Sequence, residues 1–156
     1  LDEARAIQYL RKPHAETCTS LTNTRNPYPE PCDCGWKRDW EGYFASCLGD
    51  EPNESVIEVL RLFFEDGYNI RLLTGRSESV RALTEQWLYR HAVPHHTLIM
   101  RPEGERTDDH IMKPAIAFEQ YWRPDNVLFV MEDRQRVVDA WRKLGYTVFQ
   151  VAPGNF

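Results

Sequence analysis

Val127-Leu128-Phe129-Val130-Met131-Glu132-Asp133 is the stretch that decides the fold. Its apolar residues run without a polar break and stop on two carboxylates. A strand with one wet face alternates polar and apolar residues. A strand covered by helices on both faces reads as an unbroken apolar run. Downstream, residues Arg134 to Leu144 place Val137, Val138, Trp141 and Leu144 at helical spacing, and Gly145 closes that helix. Thr147 to Val151 returns to an apolar strand. Strand, helix and strand in this order make a βαβ unit, which predicts an α/β fold on a parallel sheet.

Working upstream, the same alternation continues. His110 to Tyr121 reads as a helix, with Pro114 expected in its first turn. Thr97 to Met100 reads as a strand. Ser77 caps a helix that carries Val80, Leu83 and Trp87. Ile70 to Leu73 is a short strand ending in Thr74-Gly75-Arg76. Asn53 caps a helix with Val56, Leu60 and Phe63 inward, stopped by Gly67. Asp39 caps another that places Trp40, Phe44 and Cys47 on one face. Before about Lys37 the regular period is lost. A short polar helix, roughly Asp2 to Arg11, leads into a long proline-rich loop. The expected organisation is a single domain over 1–156, with a loop-rich insert at 1–37 and an α/β core at 38–156.

Composition bounds the function. Hydrophobic residues make up 42% and charged residues 28% of 156 residues, as in a soluble globular domain. A net charge of −5 argues against a broadly basic surface that coats nucleic acid, but leaves room for a local basic site. No apolar run is long enough for a membrane span and no signal peptide opens the chain. A cytoplasmic location and no membrane partner are therefore expected.

Ligands of an open parallel sheet bind beyond the carboxyl ends of its strands, and polar groups begin there in this sequence. The Thr74 hydroxyl can donate to a phosphoryl oxygen. Gly75 lets the backbone approach an anion closely, and the helix after Ser77 turns its N-terminus toward it. Arg76 can clamp a phosphate with two hydrogen bonds. Glu132 and Asp133 are hard oxygen ligands suited to Mg²⁺. Lys113 can neutralise charge on a nucleophile and a phosphate. Each feature also has a plainer reading. Thr-Gly-Arg is common strand-to-helix punctuation, an Asp before a helix is usually a cap, and a lone Lys on a helix is usually solvated. Their order along the chain makes the case.

That order resembles the haloacid-dehalogenase-type (HAD) phosphohydrolases. Over residues 70–156 it is similar to the phosphatase domain of phage and bacterial polynucleotide kinase/3′-phosphatases. The segments that carry the resemblance are Leu72 to Arg76, Met100-Arg101-Pro102 through Thr107-Asp108-Asp109 to Lys113, Met131 to Val138, and Trp141 to Phe156. The resemblance implies a Rossmann-like three-layer sandwich and a Mg²⁺-dependent phosphomonoesterase that forms an aspartyl-phosphate. It implies that Thr74 binds the transferring phosphoryl group, that Lys113 bridges nucleophile and phosphate, and that Glu132 and Asp133 hold Mg²⁺. Gly75, Arg76, Arg101, Arg106 and Asp109 would line the substrate end. The implied substrate is the 3′-phosphate of a nucleic-acid end or nucleotide, and the implied partner is a fused or associated kinase domain.

The sequence departs from that pattern in three places. The family's nucleophile run, Asp-x-Asp-Gly-Thr, does not occur; since Leu1 stands where a Met would start, the nucleophile strand is expected upstream of it. The acidic pair is Glu132-Asp133 where two Asp are common. The Asp108 to Lys113 spacing is one residue longer than usual. Two other readings therefore stay open: a phosphatase for small phosphate esters, and a non-catalytic HAD-like module that binds phosphate or protein.

His14, Cys18, Cys32 and Cys34 fall within the proline-rich loop. Four soft ligands can hold a tetrahedral Zn²⁺ that staples a coreless loop. The spacing fits no common finger, and free thiols beside a solvated histidine are the equal alternative. Cys47, on an apolar face, is expected in the core.

Overall fold

A computed structural model of the chain describes Gly42 and residues 46–154. The helix expected at Asp2 to Arg11, the cysteine loop and most of the helix expected from Asp39 lie outside the described residues.

The described elements alternate as the sequence predicts. A 3-10 turn at Ser46–Gly49 precedes helix α1 (Glu54–Glu65), strand β1 (Arg71–Ser77) and helix α2 (Arg81–Arg90). Strand β2 (Thr97–Arg101), helix α3 (Asp109–Glu119), strand β3 (Val130–Glu132), helix α4 (Gln135–Lys143) and strand β4 (Val148–Gln150) follow. The strands form two hydrogen-bonded pairs, β1 with β2 and β3 with β4. β3 and β4 run parallel, with Val130 beside Val148, Met131 beside Phe149 and Glu132 beside Gln150. This is the expected α/β, Rossmann-like architecture.

The chain packs as two compact units, with the boundary inside β1 after Gly75. The described part of the first unit comprises 42, 46–68 and 76–94. Asn53 caps α1, its side chain accepting from the Val56 amide at 3.2 Å; such a cap contributes about 1 kcal/mol. Val56, Leu60 and Phe63 are half-buried as expected, and Ile57 is the buried residue of that face. Cys47 is fully buried in the 3-10 turn. The Trp87 indole donates to the Asp50 carbonyl at 2.8 Å, and Arg90 donates to the Leu48 carbonyl at 2.9 Å. These two bonds tie α2 to the turn. On α2 itself the buried positions are Thr84 and Leu88, while Leu83 and Trp87 are half-buried.

The second unit, 69–75 with 95–154 among the described residues, holds the larger core. Val137, Val138 and Trp141 of α4 are buried with Ala117 of α3, Trp122 and Val148 of β4. Leu73 of β1, Ile99 of β2 and Val130 of β3 pack against the same cluster. Both strand pairs thus contribute an apolar face to one core. Gly145 ends α4 with φ +90, a left-handed conformation that side chains resist. Tyr146 turns back so that its hydroxyl donates to the Trp122 carbonyl at 2.5 Å.

Two local expectations need correction. β3 is shorter than its apolar run: Val127 to Phe129 approach it as extended chain, and ladder pairing begins at Val130. Leu128 in the middle of that run is 55% exposed, so continuous hydrophobicity here marks neither full burial on both faces nor ladder pairing. Pro114 is the sixth residue of α3, so it lies in the second turn rather than the first. It therefore removes one helical donor, which a helix N-terminus would not have needed.

Candidate active site

The site forms within the second unit, where β1 up to Gly75, the end of β2 with the start of α3, and the end of β3 with the start of α4 come together. Gly75 lies in β1 directly after Thr74, and a Cβ on it would sit 2.8 Å from Asp109 Oδ2. That approach is closer than real Cβ atoms make, so only glycine lets Asp109 enter. Thr74 is half-buried in β1. Asp109 is the first residue of α3, where a carboxylate complements the helix dipole.

Asp109 is held between two arginines. The Arg101 guanidinium, at the end of β2, pairs with Oδ1, and Arg134 Nη1 donates to Oδ2 at 2.5 Å. Side-chain exposure is 11% for Asp109 and 15% for Arg101, so this pair is sheltered from water. Arg101 also donates through Nε to the Gly75 carbonyl at 3.0 Å and through Nη1 to the Thr107 carbonyl at 2.5 Å. With Nη1 also 3.5 Å from the Glu105 carbonyl, four of its five donors engage the protein, and it works as a tie between β1, the 102–107 loop and α3.

One helical turn further along α3, Lys113 Nζ meets Glu132 Oε2 at 2.5 Å. These side chains are 13% and 8% exposed. The other Glu132 oxygen accepts from the backbone amides of Asp133 at 3.2 Å and Arg134 at 3.3 Å. Both Glu132 oxygens are therefore committed within the protein. By contrast, no hydrogen bond or ion pair engages the Asp133 carboxylate among the described residues. Mg²⁺ is usually held by one or two carboxylates together with waters and substrate phosphate. Asp133 fits that role as it stands, while Glu132 holds Lys113. Among the described residues no cluster of three or more His, Cys, Asp or Glu could hold a metal by itself.

The remaining sequence candidates separate. Arg76 belongs to the first unit, where it pairs with Asp50 at 2.7 Å. Arg106 is exposed on the loop, its amide donating to Glu105. His14, Cys18, Cys32 and Cys34 lie outside the described residues. One residue escaped the sequence reading as a site member: Arg134. A signal existed. Arg134 is the N-cap of α4, where a cation opposes the helix dipole, so a carboxylate partner was to be expected.

The sequence model of the polynucleotide kinase PNKP phosphatase domain matches residues 38–156. The chain belongs to this family. It is also similar to chains in two solved structures of a Pnkp1/Rnl/Hen1 complex, one of them described as an RNA repair complex. Identity is 32% in both cases, over 72% of this chain, with TM-scores of 0.69 and 0.68. The matched region spans 37% and 39% of those chains, so it corresponds to less than half of each. In this PNKP-type phosphatase domain, β1 supplies Gly75, the ends of β2 and β3 supply Arg101 and Glu132-Asp133, and α3 supplies Asp109 and Lys113. No helix of the described residues is long and apolar enough to cross a membrane.

Proposed function

We propose that this chain is the phosphatase part of a nucleic-acid end-repair enzyme and removes 3′-phosphates in a Mg²⁺-dependent reaction. One observation carries the reading: among the described residues no hydrogen bond or ion pair engages the Asp133 carboxylate, while its chain neighbour Glu132 holds Lys113. Phosphoryl transfer is mostly positioning and charge neutralisation, and this arrangement provides both. Asp133 would hold the metal, which when bound neutralises phosphoryl oxygens. Lys113 would face the nucleophile and the phosphate. Thr74 would donate to the transferring group, with Gly75 leaving room for the Asp109 carboxylate beside it. Arg134 and Arg101, gathered by Asp109, would keep the substrate end positive, and Arg76 and Arg106 would extend it. The nucleophile would be an aspartate on a strand upstream of Leu1, forming an aspartyl-phosphate that water then cleaves. The family match supports a phosphatase, and the likeness to an RNA repair complex supports an RNA end and a multi-enzyme setting that includes a kinase.

The test is phosphate release from 3′-phosphorylated oligonucleotides by the protein extended upstream of Leu1. Activity should require Mg²⁺ and vanish in chelator. Asp133→Asn should lower kcat by more than the roughly 100-fold upper end found for outer-shell partners of a metal. Unchanged turnover in chelator, or in that variant, rules out the metal role. Cleavage of small phosphate esters without oligonucleotides would move the substrate class. No hydrolysis of either would leave a binding module. Zinc held by His14, Cys18, Cys32 and Cys34 is a separate proposal. Metal analysis should find about one zinc per chain, and zinc-free protein with an equally protected loop would reject it.

A further inference from the structure

Among the described residues the Asp133 carboxylate has no side-chain or backbone partner, so its direction there is set by the backbone that carries it. That backbone is gripped from one side by residues 150–154. The Val151 amide donates to the Glu132 carbonyl at 3.1 Å, one step beyond the β3–β4 ladder. Gln150 Nε2 donates to the Asp133 carbonyl at 3.2 Å and to Gln135 Oε1 at 3.0 Å. The Gln135 amide, a first-turn donor with no helical partner, reaches the Gly154 carbonyl at 2.7 Å. Gly154 itself is buried against the same peptide. A Cβ there would fall 2.6 Å from the Asp133 carbonyl carbon and 2.8 Å from Arg134 Cα. No side chain fits without moving the peptide that joins Asp133 to Arg134.

We propose that residues 150–154 form a clamp that aims Asp133, with Gln150 and Gly154 as positioning residues for the metal-binding carboxylate. This rests on the reading of Asp133 as a metal ligand. The clamp holds the 133–134 peptide by its carbonyl and by contact, so one hinge fixes Asp133 and also Arg134, which reaches Asp109. Partners that orient a metal ligand typically change metal affinity about 10- to 100-fold when lost. Since Gln150 touches neither metal nor substrate, its loss should appear in metal binding first.

The experiment measures Mn²⁺ binding by the full-length protein, using the paramagnetic signal of the free ion. The variants are Gln150→Leu, which keeps bulk and removes the amide donor, Gly154→Ala, Asp133→Asn, and Val138→Ala as a core-destabilising control. Gln150→Leu should weaken Mn²⁺ binding about tenfold and raise the Mg²⁺ half-saturation of phosphate release by a similar factor. KM for the oligonucleotide should change less than the Mg²⁺ half-saturation, because Arg134 stays tied to Asp109. Val138→Ala should lower the melting temperature and leave Mn²⁺ affinity alone. If Gly154→Ala does not fold, Gln150→Leu decides. Wild-type Mn²⁺ affinity in Gln150→Leu, with binding lost in Asp133→Asn, overturns the clamp and leaves the metal reading standing. Wild-type affinity in Asp133→Asn removes both.

Discussion

Among the described residues, two clusters of three charges use the same kinds of charged group in opposite proportion. Near the start of α2, Arg81 sits between two carboxylates, 2.6 Å from Glu78 and 3.1 Å from Glu85. At the head of α3, Asp109 sits between two guanidiniums, those of Arg101 and Arg134. The first cluster carries a net negative charge and the second a net positive one. Their surroundings differ as well. Glu78 and Glu85 are 38% and 54% exposed, whereas Asp109 is 11% exposed. Water and salt screen the first pair of contacts and leave the second largely intact. Similar pairings in the two places therefore do different work. The surface cluster decorates a helix, and the sheltered one holds two guanidiniums together on one carboxylate.

The largest expected effect comes from breaking the sheltered cluster. Asp109→Asn removes the carboxylate that, among the described residues, joins Arg101 and Arg134, and leaves two partly buried cations on a neutral side chain. Breaking a buried pair typically costs about 3–5 kcal/mol, and the partial exposure of Arg134 puts the expectation at the low end. Urea unfolding should show the midpoint falling accordingly, and 3′-phosphatase turnover should fall with it. A loss below about 1 kcal/mol would put this cluster in the same class as exposed surface pairs.

The surface cluster should respond far less. Arg81→Ala is expected to change stability by less than about 1 kcal/mol, since its partners are more than a third exposed. The bond from Arg81 holds the Glu78 carboxyl below the usual carboxylate range, more strongly than burial raises it. A depressed carboxyl contributes stability above the ordinary range and loses it as pH falls through the lowered value. The difference between wild type and Arg81→Ala should therefore be present at neutral pH, shrink in acid, and shrink again in 1 M salt. A difference that survives both would mean that Arg81 acts through packing.

How these clusters relate to the sequence shows what was legible. Element order was readable because periodicity is local: the Asn53 cap, the α4 face of Val137, Val138 and Trp141, and the β4 strand all follow from neighbours within a few residues. The Glu132-Asp133 end of β3 was readable for the same reason, but β1 runs on through Thr74-Gly75-Arg76 to Ser77, past the point where its apolar run stops. The pairings were not readable. Arg134 lies 25 residues from Asp109, and Gln150 lies 17 from Asp133. No local pattern encodes such a meeting. Nor could residue type reveal that Arg101 serves as a tie or that Glu132 is occupied by Lys113. Those roles depend on counting donors in three dimensions.

The smallest effect belongs to Glu105, which joins the two cases. It is exposed like the α2 carboxylates, yet it shapes the loop that Arg101 binds through the Thr107 carbonyl. Glu105 Oε1 accepts from the Thr107 hydroxyl and from the Thr107 and Arg106 amides, each at 2.7 Å. The Thr107 hydroxyl is the main reason that its carboxyl is held below the usual range. The two amides follow, and the charge of Arg101 adds last. With the folded value lowered, the loop's order is in place above the ordinary carboxylate range and fades as pH drops through the lowered value. The amide resonances of Arg106 and Thr107 should titrate together with a midpoint under that of an exposed glutamate. Thr107→Val removes the largest cause and should raise the midpoint, while Glu105→Gln should abolish the titration. If the midpoint already lies at the ordinary value in wild type, Glu105 does not order the loop, and Arg101 alone carries it.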